Sequence, residues 1–201
     1  MAGRRRKPAG RLIAVEGTRG RDVTRAAARV WQRLKDEGAE GGVSTWDASG
    51  TFYELRLAKQ KELTPSPRTL LLLYASDLTF RLRWQIRPAI AQGQTVVAAP
   101  YVESAVAFGE AAGLPRKWLT ELFRFAPKPD ACLHAREKRS SSGWKDKWMA
   151  GFPEFASVVL KSTRADWDER RRRAEAIRIL ARSEGRRGCR LLKKKSLREL
   201  T

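Results

Sequence analysis

Cysteine and histidine are nearly missing from these 201 residues: there are two Cys, Cys132 and Cys189, and a single His, His134. With no CxxC spacing, neither a disulfide framework nor a zinc site is expected, and a reducing cytoplasm is the expected location. Long apolar runs are missing too. No stretch reaches the roughly 18 to 20 uninterrupted apolar residues of a membrane-spanning helix, and no apolar run of secretory length follows the basic start, so no membrane partner is expected. Acid is the third shortage, with 22 Asp plus Glu against 42 Lys plus Arg.

What is present fits one folded body, because a chain that is 42% hydrophobic can bury a single sizeable core. Its charge is uneven. Residues 1–25 hold eight basic and two acidic side chains, residues 26–135 fourteen and eleven, and residues 136–201 twenty and nine. A nearly balanced body with cationic ends favours phosphate-rich partners, nucleic acid among them, through counterion release. A solvated arginine surface that reflects genomic base bias is the alternative reading.

Residues 1–10, with Arg4-Arg5-Arg6-Lys7, read as a basic disordered arm with nothing to bury. Leu12-Ile13-Ala14-Val15 then reads as a strand, and Val23, Ala26, Ala27, Val30, Trp31 and Leu34 recur at helical spacing. A second strand is expected near Val43-Ser44-Thr45. Ser66-Pro67 pairs an N-cap with proline in the first turn of a long helix reaching Gln92, which Pro88 should kink unless it sits in the last turns. Thr95 to Ala99 and Ala131-Cys132-Leu133 read as strands covered on both faces, with helices around Ser104 to Ala112 and Arg116 to Phe125. The alternation implies a doubly wound parallel sheet. Residues 136–184 read as an exposed flap followed by basic C-terminal helices, including one over Asp168 to Arg182, and residues 185–201 read as a basic tail.

Five collinear pieces give this core a family likeness. Ile13-Ala14-Val15-Glu16-Gly17-Thr18-Arg19-Gly20, then Leu72-Leu73-Tyr74-Ala75-Ser76-Asp77, Ile86-Arg87-Pro88-Ala89-Ile90 with Gly93, Tyr101-Val102-Glu103-Ser104 with Ala107-Phe108, and Pro129-Asp130 occur in the order and spacing of thymidylate kinases. Residues 11–135 resemble this P-loop nucleoside monophosphate kinase family. The resemblance implies a P-loop NTPase-like three-layer α/β/α fold and transfer of the γ-phosphoryl group of ATP to dTMP with Mg²⁺. Such catalysis needs a loop of backbone N–H groups around phosphate, a lysine, a hydroxyl on the metal and a strand-end carboxylate.

The loop reads Gly17-Thr18-Arg19-Gly20-Arg21-Asp22-Val23-Thr24 where the pattern is GxxxxGK[ST]. Asp22 stands in place of glycine and Val23 in place of lysine. A carboxylate at this helix start can take the N–H groups and the dipole that serve a phosphate. It also repels one, by roughly 1 kcal/mol at 4 Å in water and several times more in a drier site. Read merely as an N-cap, Asp22 has the same consequence for ATP. Arg19 and Arg21 are candidate replacements for the lost cation. Further losses follow the resemblance: Ala99-Pro100-Tyr101 stands for Asp-Arg-Tyr, Trp46-Asp47-Ala48 for Arg-Glu-Pro, and Leu78 for the arginine after Asp77. Thr24 alone remains of the metal shell, so no metal site is expected.

Tyr74 occupies the position of a ring that stacks on thymine, and Asp77, Tyr101 and Ser104 fit further acceptor-pocket positions. That Tyr74 is a core aromatic of a buried helix stands beside this reading. Arg136 and Arg139 lie where the family has a lid that can meet phosphates. Three functional readings are open: a pseudoenzyme binding a nucleotide weakly, a protein or nucleic acid; a divergent but active kinase, for which alone ATP and Mg²⁺ would be cofactors; and a nucleic-acid-binding protein using Arg4 to Lys7, Arg170 to Arg173 and Lys193 to Lys195. A protein-docking surface of Trp144, Trp148, Phe152 and Phe155 is weighed against simple packing. The resemblance further implies a homodimer through the long helix, with Trp84 as a contact.

Overall fold

The computed structural model describes residues 9–57, 65–135, 169–183 and 189–191. Residues 1–8 of the expected basic arm, the expected lid residues Arg136 and Arg139, the four aromatics between 144 and 155, and Lys193 to Lys195 lie outside them. Five strands, β1 (Arg11–Glu16), β2 (Gly41–Thr45), β3 (Thr95–Ala99), β4 (Ala131–His134) and β5 (Cys189–Leu191), form one sheet in the order β2-β3-β1-β4-β5. Every pairing is parallel. β1 from Leu12 to Val15 and β3 from Val96 to Ala99 are apolar and buried on both faces, as central strands of a doubly wound sheet must be. At the start of β2, Gly41 has φ 136°, and a Cβ there would lie 1.9 Å from the Thr95 carbonyl oxygen, so only glycine allows this approach of β2 to β3.

Helix α1 (Gly20–Asp36) connects β1 to β2, and α2 (Thr51–Leu57), α3 (Pro67–Arg81) and α4 (Arg87–Ala91) connect β2 to β3. Beyond β3 come α5 (Val102–Ala111) and α6 (Arg116–Leu122), and α7 (Glu169–Ser183) precedes β5 and packs on α5. Right-handed crossovers set α1 on one face and the helices leading to β3, β4 and β5 on the other, which gives the expected three layers. Ser66 caps α3 through its hydroxyl, which accepts from Thr69 N at 3.1 Å. The long helix is continuous to Ala91 and adjusts to Pro88 through a π-helical turn at Leu82–Ile86, because proline removes one N–H from the ladder and crowds the preceding turn.

The cysteines correct the sequence-based expectation. Cys132 is disulfide-bonded. The β4–β5 register sets it opposite Cys189, the other cysteine of the chain. Distance in sequence concealed that the two residues share a rung of the sheet, and the cysteine-based reason for a reducing compartment falls with it. Among the described residues no helix is long and apolar enough to cross a membrane.

Candidate phosphate loop and acceptor pocket

β1 ends in a carboxylate that the fold encloses. Glu16 is 0% exposed. Its Oε2 accepts from Tyr101 N and Ser104 N, both at 3.1 Å, and from Ser104 Oγ at 2.6 Å, while Oε1 accepts from Glu103 N at 2.9 Å. The first amides of α5, which have no partner within their own helix, are thus capped from a neighbouring strand. Ser104 Oγ in turn accepts from Gly17 N at 2.9 Å. Ser104, expected at an acceptor pocket, is a fully buried link between Glu16 and the loop.

The loop itself is short. Only Gly17, Thr18 and Arg19 separate β1 from α1, and the helix starts at Gly20 with Arg19 as its N-cap residue. Asp22 is therefore not the cap but a buried residue of the first turn, where its charge suits the helix dipole. Asp22 N and Val23 N both donate to the Arg19 carbonyl at 3.0 Å, so two amides at the phosphate-binding positions are closed on the backbone. Val23 is fully buried and packs on Gly17, where an added Cβ would come within 2.8 Å of its Cγ2. Arg19 and Arg21 are exposed beside this turn.

One arginine from α7 reaches the same place. Arg173 Nη1 donates to the Thr18 carbonyl at 3.0 Å, while its neighbour Arg172 is 1% exposed. Of the run Arg170 to Arg173, Arg171 is exposed, Arg172 is buried and Arg173 is half-buried. Nothing in the sequence marks which arginine of the four turns inward except the apolar spacing of Ala176 and Leu180 on the same helix side.

The residues present do not fit the Mg²⁺ that the resemblance implies. Thr24 Oγ1 is buried without a hydrogen-bond partner, which alone suits a metal shell. The strand-end position is Ala99, the Glu16 oxygens are filled by donors, and no group of three metal-binding side chains occurs among the described residues.

On the acceptor side, protein rings occupy the space around Tyr74. Its ring centroid lies 5.5 Å from Trp46 and 5.8 Å from Phe123, and Trp46 stacks on Phe52 at 4.2 Å. All four residues are buried, and the Tyr74 hydroxyl donates to the Tyr101 carbonyl. Of the two readings of Tyr74, the core aromatic is the one the packing matches. Burial and the Glu16 charge push both Tyr74 and Tyr101 well above the ordinary phenol range, so neither exchanges a proton near neutrality. The Tyr101 hydroxyl donates to the Pro127 carbonyl at 2.8 Å. Asp77 accepts from Asp47 N at 3.2 Å and Ser49 N at 2.9 Å, and Asp47 caps α2 through Phe52 N and Tyr53 N. Burial raises the Asp47 carboxyl above its usual range against the pull of these two amides, and the Asp77 charge adds to the rise.

Sequence reasoning missed Arg81, which is 0% exposed and spans the ends of β2 and β3. Its guanidinium donates to Ser44 Oγ at 3.0 Å and to the carbonyls of Ser44 and Pro100 at 2.8 Å. The available sign was a charged residue on the apolar side of α3, in step with Leu70, Leu71, Tyr74 and Leu78. A cavity of about 360 Å³ opens beside Glu16, with Tyr101, Val106, Phe123 and Lys128 among its walls.

Comparison with known proteins agrees with this architecture. No protein-family model matches the chain. A thymidylate kinase of Xanthomonas oryzae pv. oryzae (strain PXO99A) is 37% identical over 129 residues, covering 63% of this chain and 56% of that protein. A protein of Archaeoglobus fulgidus described as a probable thymidylate kinase is 32% identical over 123 residues, covering 61% and 62%. The chain thus spans less than two thirds of the curated relatives it matches. The crystal structure of thymidylate kinase from Ehrlichia chaffeensis superposes with a TM-score of 0.64 at 14% identity, over 96% of this chain and all of that one, a likeness of fold.

Proposed function

Because the chain is a thymidylate kinase-like family member, we propose that it is a pseudoenzyme: a kinase scaffold that no longer transfers phosphate from ATP and acts by binding. The observation that carries this reading is the closure of the Asp22 and Val23 amides on the Arg19 carbonyl, with Val23 buried where a cation is needed. Loss of the loop donors removes the preorganised dipoles on which phosphoryl transfer depends. The aromatic packing around Tyr74 supports the same reading from the acceptor side, since a stacked base needs an open ring face. A coupled assay with Mg²⁺-ATP across the nucleoside and deoxynucleoside monophosphates tests it. No turnover above background is expected, and turnover with dTMP would overturn it.

A second reading, an active kinase that borrows arginine, is favoured by one contact, the Arg173 guanidinium at the Thr18 carbonyl. It brings a cation to the loop from another element. The same assay with Arg173→Met separates the two, since this reading requires activity that the substitution abolishes.

We also propose a homodimer through α3 and the π-helical turn. Leu72, Phe80 and Trp84 are 50%, 39% and 65% exposed, and their spacing of eight and four residues puts them on one helix side. Sedimentation equilibrium is expected to give twice the chain mass for the wild type and the chain mass for Leu72→Glu/Trp84→Glu. A monomeric wild type at about 10 μM, where a Kd near 1 μM would leave mostly dimer, contradicts this.

A further inference from the structure

Helix α1 carries a regular array of like charge. Arg21, Arg25, Arg29 and Arg33 recur every four residues, which aligns them along one side of the helix. Val23, Ala26, Ala27, Val30 and Leu34 turn into the core from the other side. Arg21 and Arg29 are exposed, and Arg25 and Arg33 are half-buried. Like charges at this spacing repel one another, and the array begins at the helix end where the dipole is already positive. The nearby acids do not relieve it at Arg25 and Arg29, in the middle of the array. Asp22 is buried, Asp36 accepts from Gln32 Nε2 at 2.8 Å, and Glu37 pairs with Arg33 at 2.9 Å. Arg25 and Arg29 have no ion pair among the described residues. No other described helix repeats basic residues four times at this interval.

We infer that this side of α1 is a track for the phosphate backbone of double-stranded nucleic acid. At a rise of 1.5 Å per residue the four arginines span about 18 Å, over which one strand of a B-form duplex presents roughly five phosphates. Guanidinium groups grip phosphate in bidentate fashion, and a polyanion removes the repulsion that the helix otherwise carries. Ala28 and Gln32 lie between the arginines on the outward side, so α1 offers no apolar surface to a lipid layer as interfacial helices do. Backbone contacts of this kind position a duplex without reading its sequence. The track lies on the folded body, apart from the basic ends, and does not depend on whether phosphoryl transfer has been lost.

Fluorescence anisotropy of the full chain with a labelled mixed-sequence duplex, titrated across salt concentrations, tests the inference. Arg25→Gln/Arg29→Gln is compared with Arg116→Gln/Lys117→Gln, which removes the same charge from α6. Two lost phosphate contacts are expected to weaken binding at least about tenfold at 0.1 M salt and to flatten the slope of log K against log salt by about two, while the α6 pair leaves the slope unchanged. Anionic phospholipid vesicles form a parallel arm. Wild-type affinity in the α1 variant, no duplex binding by the wild type, or vesicle binding that needs Arg25 and Arg29 while duplex binding does not, would each overturn it.

Discussion

Replacing Glu16 by Ala is expected to lower the unfolding free energy by about 4 kcal/mol or more, a large share of the 5 to 15 kcal/mol typical of a domain. Three backbone amides and the Ser104 hydroxyl meet this one carboxylate in a site closed to water, and each buried donor left without an acceptor costs about 1 to 3 kcal/mol. For a chain of this size the corresponding fall in Tm is on the order of 10 °C. Urea and thermal unfolding read the change. Glu16→Gln retains one acceptor oxygen and should lose about half as much, since its amide donors face other donors. A loss below about 1 kcal/mol for the alanine variant contradicts the role given to Glu16, as ordinary surface substitutions stay within that range.

Reduction of the disulfide is the second large effect. The link at Cys132 sits in a strand beside β5, which is only three residues long and pairs with β4 alone. For a closed loop of roughly 60 residues the chain-entropy argument gives about 4 kcal/mol of stabilisation, lost on reduction or in Cys132→Ser. The native chain should show no thiol to Ellman's reagent and two after reduction and unfolding. Amide exchange in β5 should rise before that in β1 and β3, because an edge strand of this length has little else to hold it. Equal stability with and without reductant would contradict the assignment.

The parallel core was legible because its strands are continuous apolar runs and its helices carry apolar residues at a period that survives burial. Ser66-Pro67 and Pro88 marked the start and the disturbed turn of the long helix. What escaped is what depends on elements meeting across the fold. Cys132 and Cys189 look unrelated until β4 and β5 are set side by side. Arg81 reads as one more surface cation until α3 lies over the ends of β2 and β3. Asp22 was read as an anion competing for the helix start, or else as its cap, and the cap falls instead to Arg19, three residues earlier. The loop's lost glycine and lysine were plain in the sequence; that its amides bond inward, and that α7 brings Arg173 to it, required the packed chain. Tyr74 had two readings in sequence, and its contacts with Trp46 and Phe123 came only from the packed chain.

The central claim is that a turn whose Asp22 and Val23 N–H groups are closed on the Arg19 carbonyl, with no lysine beside them, does not hold a triphosphate. Equilibrium dialysis of labelled ATP against the full chain with excess Mg²⁺ tests it directly. The account predicts no saturation below about 1 mM, equivalent to less than roughly 4 kcal/mol of binding. One ATP bound per chain at micromolar concentration, dependent on Mg²⁺, would contradict it.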